Sequence, residues 1–87
     1  MLIAKVTGSI VSTQKEDTLI GKKLMIVQPM NSNGKITNNE EVACDTVGAG
    51  VGEYVLLTKG RSASAAFESK ANVIDMAIVA IIDSFDK

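Results

Sequence analysis

Three glycines in five residues, Gly48-Ala49-Gly50-Val51-Gly52, separate two runs with strand character. Upstream, Glu41 to Val47 alternates, with Val42, Cys44 and Thr46 opposite Ala43, Asp45 and Val47. Downstream, Glu53 to Thr58 is a second strand run. A phosphate-cradling loop needs a strand before it and a helix N-terminus after it. Here a strand follows, the spacing is not G-x-G-x-x-G, and no Lys-Ser/Thr pair comes next. The segment therefore reads as a tight strand-to-strand corner. Backbone this bare can also approach a neighbouring subunit closely, since no Cβ intervenes. At least one of Gly48, Gly50 and Gly52 is expected to have positive φ or such a contact.

The rest of the chain supplies strands for that corner to join. Leu2 to Ser12 alternates, with Leu2, Ala4, Val6, Gly8 and Ile10 on one face, and Gly8 marks a bend or bulge. Lys23 to Gln28 is apolar on both faces, which predicts a strand covered on both sides. Pro29 either ends that strand or places its end on an edge. Asn33-Gly34 is a hairpin turn signal, and Lys35 to Thr37 reads as a short return strand. Ser62 to Phe67 is a short helical stretch with Ser62 as N-cap. In the final run, Ile74, Ala77, Ile78, Ile81, Ile82 and Phe85 have helical spacing, yet the richness in Ile and Val favours a strand over Ala77 to Ser84. One domain of about five strands with glycine corners predicts a small closed or partly closed barrel. With 87 residues its core is thin.

Composition narrows the chemistry. There is no His or Trp, one Tyr, two Phe and one Cys. This excludes an aromatic base-stacking platform, a disulfide framework and a zinc site built on cysteine pairs. Cys44 has no histidine to activate it and reads as a small buried hydrophobe, with Asp45 raising its pKa. Asp45 flanks the glycine corner and is placed to accept its backbone N–H groups. Lys22-Lys23 and Lys59-Gly60-Arg61 are the basic clusters, and at a net charge of −1 they make no nucleic-acid footprint. Lys5 interrupts the apolar start, so no signal peptide is read, and no window of about 18 apolar residues spans a membrane. The expected compartment is the cytoplasm.

Several segments together resemble a known family: Met1 to Gly8, Leu19 to Leu24, Val42 to Glu53, Gly60 to Ser64, and Asp75 to Asp83. Their order and spacing are similar to the vertex proteins of bacterial microcompartments, the pentameric shell proteins of carboxysomes and of ethanolamine- and propanediol-type organelles. The most specific part is the D-x-V-G-A-G-x-G-E pattern at Asp45, Val47, Gly48, Ala49, Gly50, Gly52 and Glu53. Where the family usually reads G-S-S-A-R, this chain has Gly60-Arg61-Ser62-Ala63-Ser64, and its Asn72-Val73-Ile74-Asp75 is a looser match to the family's P-V-D. The resemblance implies an all-β chain, a five-stranded OB-like barrel with one short helical turn, assembled as a cyclic pentamer. It implies a structural role at the vertices of a polyhedral shell, no catalysis, no cofactor or metal, and no nucleic-acid or membrane partner. Hexameric shell proteins are the implied neighbours, met by exposed turns at Thr13–Thr18, Asn38–Glu41 and Lys59–Arg61. Asp45, Gly48, Ala49, Gly50, Gly52, Glu53, Ser62 and Ala63 are the candidate subunit-interface or axial residues. Two alternatives stay open: an OB-type module binding a small ligand or single-stranded nucleic acid, and a metal-free hydrolase using Asp45 and Glu53.

Overall fold

The computed structural model describes residues 1–11, 21–60 and 75–86. Five strands form a closed barrel: β1 (Leu2–Ile10), β2 (Lys23–Met30), β3 (Glu41–Asp45), β4 (Tyr54–Lys59) and β5 (Met76–Ile82). The order around the barrel is β1-β2-β3-β5-β4. Neighbours are antiparallel except β3 and β5, which pair in parallel. Closure removes sheet edges, the device by which a small all-β chain avoids edge-to-edge pairing. No helix occurs among the described residues. The expected helical turn at Ser62 to Phe67 lies outside them.

Alternation places the core. Ala4 and Val6 from β1, Met25 and Val27 from β2, Ala43 from β3, Val55 and Leu57 from β4, and Met76 and Ile78 from β5 point inward and are buried. Ala49, from the glycine corner, joins them. None of these ten is aromatic, so aliphatic side chains and methionine sulfur fill the interior. β1 carries a bulge between Val6 and Gly8, opposite Val27 and Ile26. Gly8 is where the sequence expects one. A Cβ there would come within 3.3 Å of the Ile26 side chain.

β5 resolves the ambiguous run. It pairs with β4 from Met76 to Ile82, and the register slips at Val79. Met76 and Ile78 face inward before the bulge, and Ile81 packs on the core after it. The three-residue step from Ile78 to Ile81 imitates helical spacing, because one extra residue has been inserted into a period of two.

One expectation needs adjustment, and two others gain detail. The return strand at Lys35 to Thr37 is only an isolated bridge, Met30 to Ile36. The intervening turn is as expected: the Asn31 side-chain Oδ1 accepts from the N–H groups of Asn33 (2.9 Å) and Lys35 (3.0 Å), and Gly34 has φ 83°. Pro29 does not end β2. It pairs with Ala4 of β1 and is buried, the β3 ladder stops at Val27, and on that side Pro29 only accepts, from the Thr37 N–H at 3.2 Å. That is where a residue lacking N–H is tolerated. Finally, within the single chain β2 is covered on its inner face, where Met25, Val27 and Pro29 are buried, while Leu24, Ile26 and Met30 remain half-buried outside.

Candidate functional site: the braced glycine corner

β3 ends where Asp45 turns its carboxylate onto the following backbone. Oδ1 accepts the Val47 N–H at 3.0 Å and Oδ2 accepts the Ala49 N–H at 2.8 Å. Asp45 thus replaces the ladder for two amides that leave the sheet, as its position beside the corner predicts. Its side chain is 1% exposed, and Lys23 of β2 lies 3.5 Å from Oδ2. The Lys23 ammonium also donates to the Ala49 carbonyl at 2.8 Å. Asp45 and Lys23 therefore hold the N–H and C=O of the same residue, and Ala49 is pressed into the core at 0% exposure. The sequence marks Lys23 only as half of a basic pair, not as part of this corner. The signal exists only in register, since Lys23 and Asp45 are cross-strand partners.

The second half of the corner is held differently. Glu53 accepts the Gly50 N–H at 2.6 Å through Oε1 and returns its own N–H to the Gly50 carbonyl at 3.2 Å. Gly52 donates to the Val6 carbonyl at 2.8 Å, and Val6 donates to the Glu53 carbonyl at 2.9 Å, so the corner is stitched to β1. Thr46 caps the other side, giving both its hydroxyl (2.7 Å) and its N–H (3.2 Å) to the Ile78 carbonyl. Gly48 and Gly52 have φ of 77° and 95°, as expected of at least one of the three. Gly50 does not, but a Cβ on it would sit 3.3 Å from the Glu53 carboxylate. The structure brings Asp45, Gly48, Ala49, Gly50, Gly52 and Glu53 together. Ser62 and Ala63 lie outside the described residues. Around this braced backbone, Val47 (40%) and Val51 (63%) are left exposed.

Replacing Gly52 by Val puts a β-branched residue at φ 95° and should cost about 1–3 kcal/mol. Thermal melting of Gly52→Val against wild type measures it, and Gly50→Ala, with ordinary φ and one close contact, should lose less.

Cys44 is buried as expected, on the face of β3 away from the core cluster and in register with Ala77. Burial pushes its thiol above the usual range; Lys22 opposes the shift and Asp75 adds to it. The contributing carboxylate is thus Asp75 rather than the adjacent Asp45, whose side chain leaves the strand on the other side. A thiol whose folded pKa is raised contributes stability below its unfolded pKa and loses it as pH rises through the folded value. Stability of the wild type should therefore fall with pH above the ordinary thiol range more steeply than that of Cys44→Ala, as read by denaturant titration at several pH values.

Among the described residues, no three His, Cys, Asp or Glu side chains converge as a metal-ligand set, and no helix is long and apolar enough to cross a membrane. Asp45 and Glu53, the carboxylates of the hydrolase alternative, are both spent on backbone amides.

A closed five-stranded barrel in this strand order is an OB-like barrel, and its glycine corner is built from hydrogen-bonded backbone. The family model described as "Ethanolamine utilisation protein EutN/carboxysome" matches residues 1–83, and the chain belongs to that family. The bacterial microcompartment shell vertex protein PduN of Salmonella typhimurium is 49% identical over 88 residues, covering 97% of both chains. The carboxysome shell vertex protein CcmL of Thermosynechococcus vestitus is 45% identical over 87 residues, covering 100% of this chain and 88% of its own. The GrpN pentameric microcompartment shell protein from Rhodospirillum rubrum superposes with a TM-score of 0.88 at 39% identity, covering 100% of this chain and 99% of that one.

Proposed function

We propose that this chain assembles as a homopentamer that closes the vertices of a polyhedral bacterial microcompartment. It is a structural shell protein, placed with its relatives in the shell of a cytoplasmic organelle. The observation that carries the reading is the match of a closed barrel, along nearly its whole length, to shell vertex proteins, one of them at 49% identity. It favours the shell role over an OB-type binding module. The geometry gives the role a physical basis. A flat hexagonal lattice closes into a polyhedron only through fivefold positions, which a pentamer fills and a hexamer cannot. The glycine corner supports it as a rigid contact element: Asp45, Lys23 and Glu53 fix the backbone, while Val47 and Val51 stay bare to meet neighbouring copies near the axis.

Catalysis forms no part of this role. The carboxylates that would serve a hydrolase are engaged as backbone acceptors, and no cofactor, metal or nucleic acid is required. Hexameric shell proteins are the outward partners. The exposed turn at Asn38–Glu41 and the neighbouring Lys59 are candidates for that rim, where Lys59 and Glu41 approach to 4.0 Å and Glu40 accepts from the Thr7 hydroxyl. Charged rims set orientation and partner choice more than affinity.

Native mass spectrometry should find five copies per particle. Deleting the gene should leave shells that are elongated, open or leaky, with cargo enzymes still active in extracts. Closed, impermeable shells in a deletion strain encoding no other vertex protein would contradict the assignment.

A further inference from the structure

The Asn33-Gly34 pair shapes the turn after β2, and it also carries chemistry of its own. An asparagine followed by glycine is prone to lose its side-chain amide. Glycine has no Cβ, so its backbone nitrogen meets little hindrance in approaching the side-chain carbonyl before it. The step balances without a redox partner. Hydroxide takes the Gly34 N–H proton, and the nitrogen forms a bond to Asn33 Cγ. The bond from Cγ to the side-chain nitrogen breaks, and that nitrogen takes a proton from water and leaves as ammonia. Water then opens the cyclic imide at either carbonyl, giving aspartate or isoaspartate at position 33.

The fold engages the nitrogen that would attack. The Asn31 N–H donates to the Lys35 carbonyl at 2.8 Å and closes a loop of Ser32, Asn33 and Gly34, of the kind that ends in a left-handed glycine. Gly34 has φ 83°, and its N–H donates to the Asn31 carbonyl at 2.9 Å. The Asn31 side-chain Oδ1 accepts from the amides on either side of Gly34, those of Asn33 and Lys35. The amides of Asn33, Gly34 and Lys35 therefore all end on Asn31. Asn33 and Gly34 are exposed, so water and hydroxide reach them. A hydrogen-bonded amide gives up its proton less readily, and a closed turn keeps its nitrogen from swinging toward Cγ. Both restraints lift only when the turn opens locally.

We propose that Asn33 is a modification site, a latent deamidation site that Asn31 holds in check. The lock is internal to one chain and does not depend on the pentamer reading. Its rate is that of the open turn multiplied by the fraction of time the turn is open. Ammonia escapes to solvent, so the mark accumulates with time. The change also reinforces itself. Either product adds a negative charge, and isoaspartate adds a methylene to the main chain before Gly34. The longer loop no longer carries the Gly34 N–H onto the Asn31 carbonyl, and the bridge from Met30 to Ile36 loses its register.

Peptide mapping by mass spectrometry reads conversion at Asn33 over time, at one mildly alkaline pH. Folded wild type is compared with the same chain unfolded in urea. Folding should slow conversion by about tenfold or more, because opening the turn gives up several hydrogen bonds at once. Asn31→Ala keeps the main-chain acceptor but removes Oδ1, and should convert several-fold faster than wild type while circular dichroism shows it folded. Exchange of the Gly34 amide should quicken in the same variant. Asn31→Asp keeps a side-chain acceptor and should stay slow. Equal rates in folded and unfolded wild type would overturn the lock, and no conversion in either would overturn the site. An Asn31→Ala protein no faster than wild type, or an Asn31→Asp protein as fast as Asn31→Ala, would remove Asn31 from the role. The comparison of folded with unfolded wild type needs no substitution, so it decides the proposal even where Asn31→Ala does not fold.

Discussion

Asp45→Ala is expected to lower the unfolding free energy by about 1–3 kcal/mol, the loss of a buried donor left without its acceptor, with little added by the Val47 amide, whose residue is exposed. The carboxylate is 1% exposed and accepts from Val47 and Ala49. Ala49 is wholly buried, so water cannot replace the lost acceptor at its amide. The Lys23 ammonium is half exposed and turns to solvent when the carboxylate goes, so its share of the loss is small. Asp45→Asn should fall between the two proteins. Its single carbonyl oxygen can serve one amide, and its NH2 group cannot accept from the other. Denaturant titration gives the three free energies. Amide exchange at Val47 and Ala49 should quicken in Asp45→Ala beyond what the global change explains. A loss below 1 kcal/mol would show that the corner is held by its connections to β1 and not by Asp45.

The same corner shows what was legible from sequence and why. Glycine clustering between two strand patterns is a local signal, and so is an aspartate beside glycines, so the turn, its positive φ angles and its acceptor could be anticipated. Lys23 sits 22 positions before Asp45, and its contact with the Ala49 carbonyl depends on which residue of β2 pairs with Asp45. Register is a tertiary property set by the whole barrel, and no local pattern carries it. The five strands were legible for a related reason: alternation survives in β1 and β4, where one face is wet. It was least legible in β5, where the bulge at Val79 breaks the period and yields spacing that a helix also makes. Pro29 shows the reverse limit. Its missing N–H excludes a fully laddered position, but whether β2 stops there or runs on past the β3 ladder depends on where β3 ends. The resemblance to vertex proteins reached the family correctly because its most specific pattern is this locally determined corner.

Leu57→Ala is the larger of the core truncations to expect, at about 2–5 kcal/mol, from lost transfer free energy together with the cavity left behind. Leu57 is fully buried among Ala4, Ala43, Ala49, Val6, Val27, Val55, Met25 and Ile78. Three of those neighbours are alanines, which have no side-chain reach with which to fill a void. Closure by five hydrogen-bonded strands also prevents the walls from collapsing inward. At about 0.05–0.15 kcal/mol per residue, the whole domain holds only about 4–13 kcal/mol, so this one change removes a large share. For a chain of this size the midpoint of melting should drop by roughly 10–30 °C. Leu57→Met, which conserves volume and is flexible, should cost under about 1.5 kcal/mol. The consequence extends to assembly. Folded subunits are drawn off by ring formation, so the apparent stability of Leu57→Ala should rise with protein concentration while the ring forms. Melting curves of wild type and Leu57→Ala across a hundredfold range of concentration separate the core term from the assembly term. A Leu57→Ala protein whose melting is insensitive to concentration, yet which still forms pentamers, would mean that folding and ring closure are not coupled in this chain.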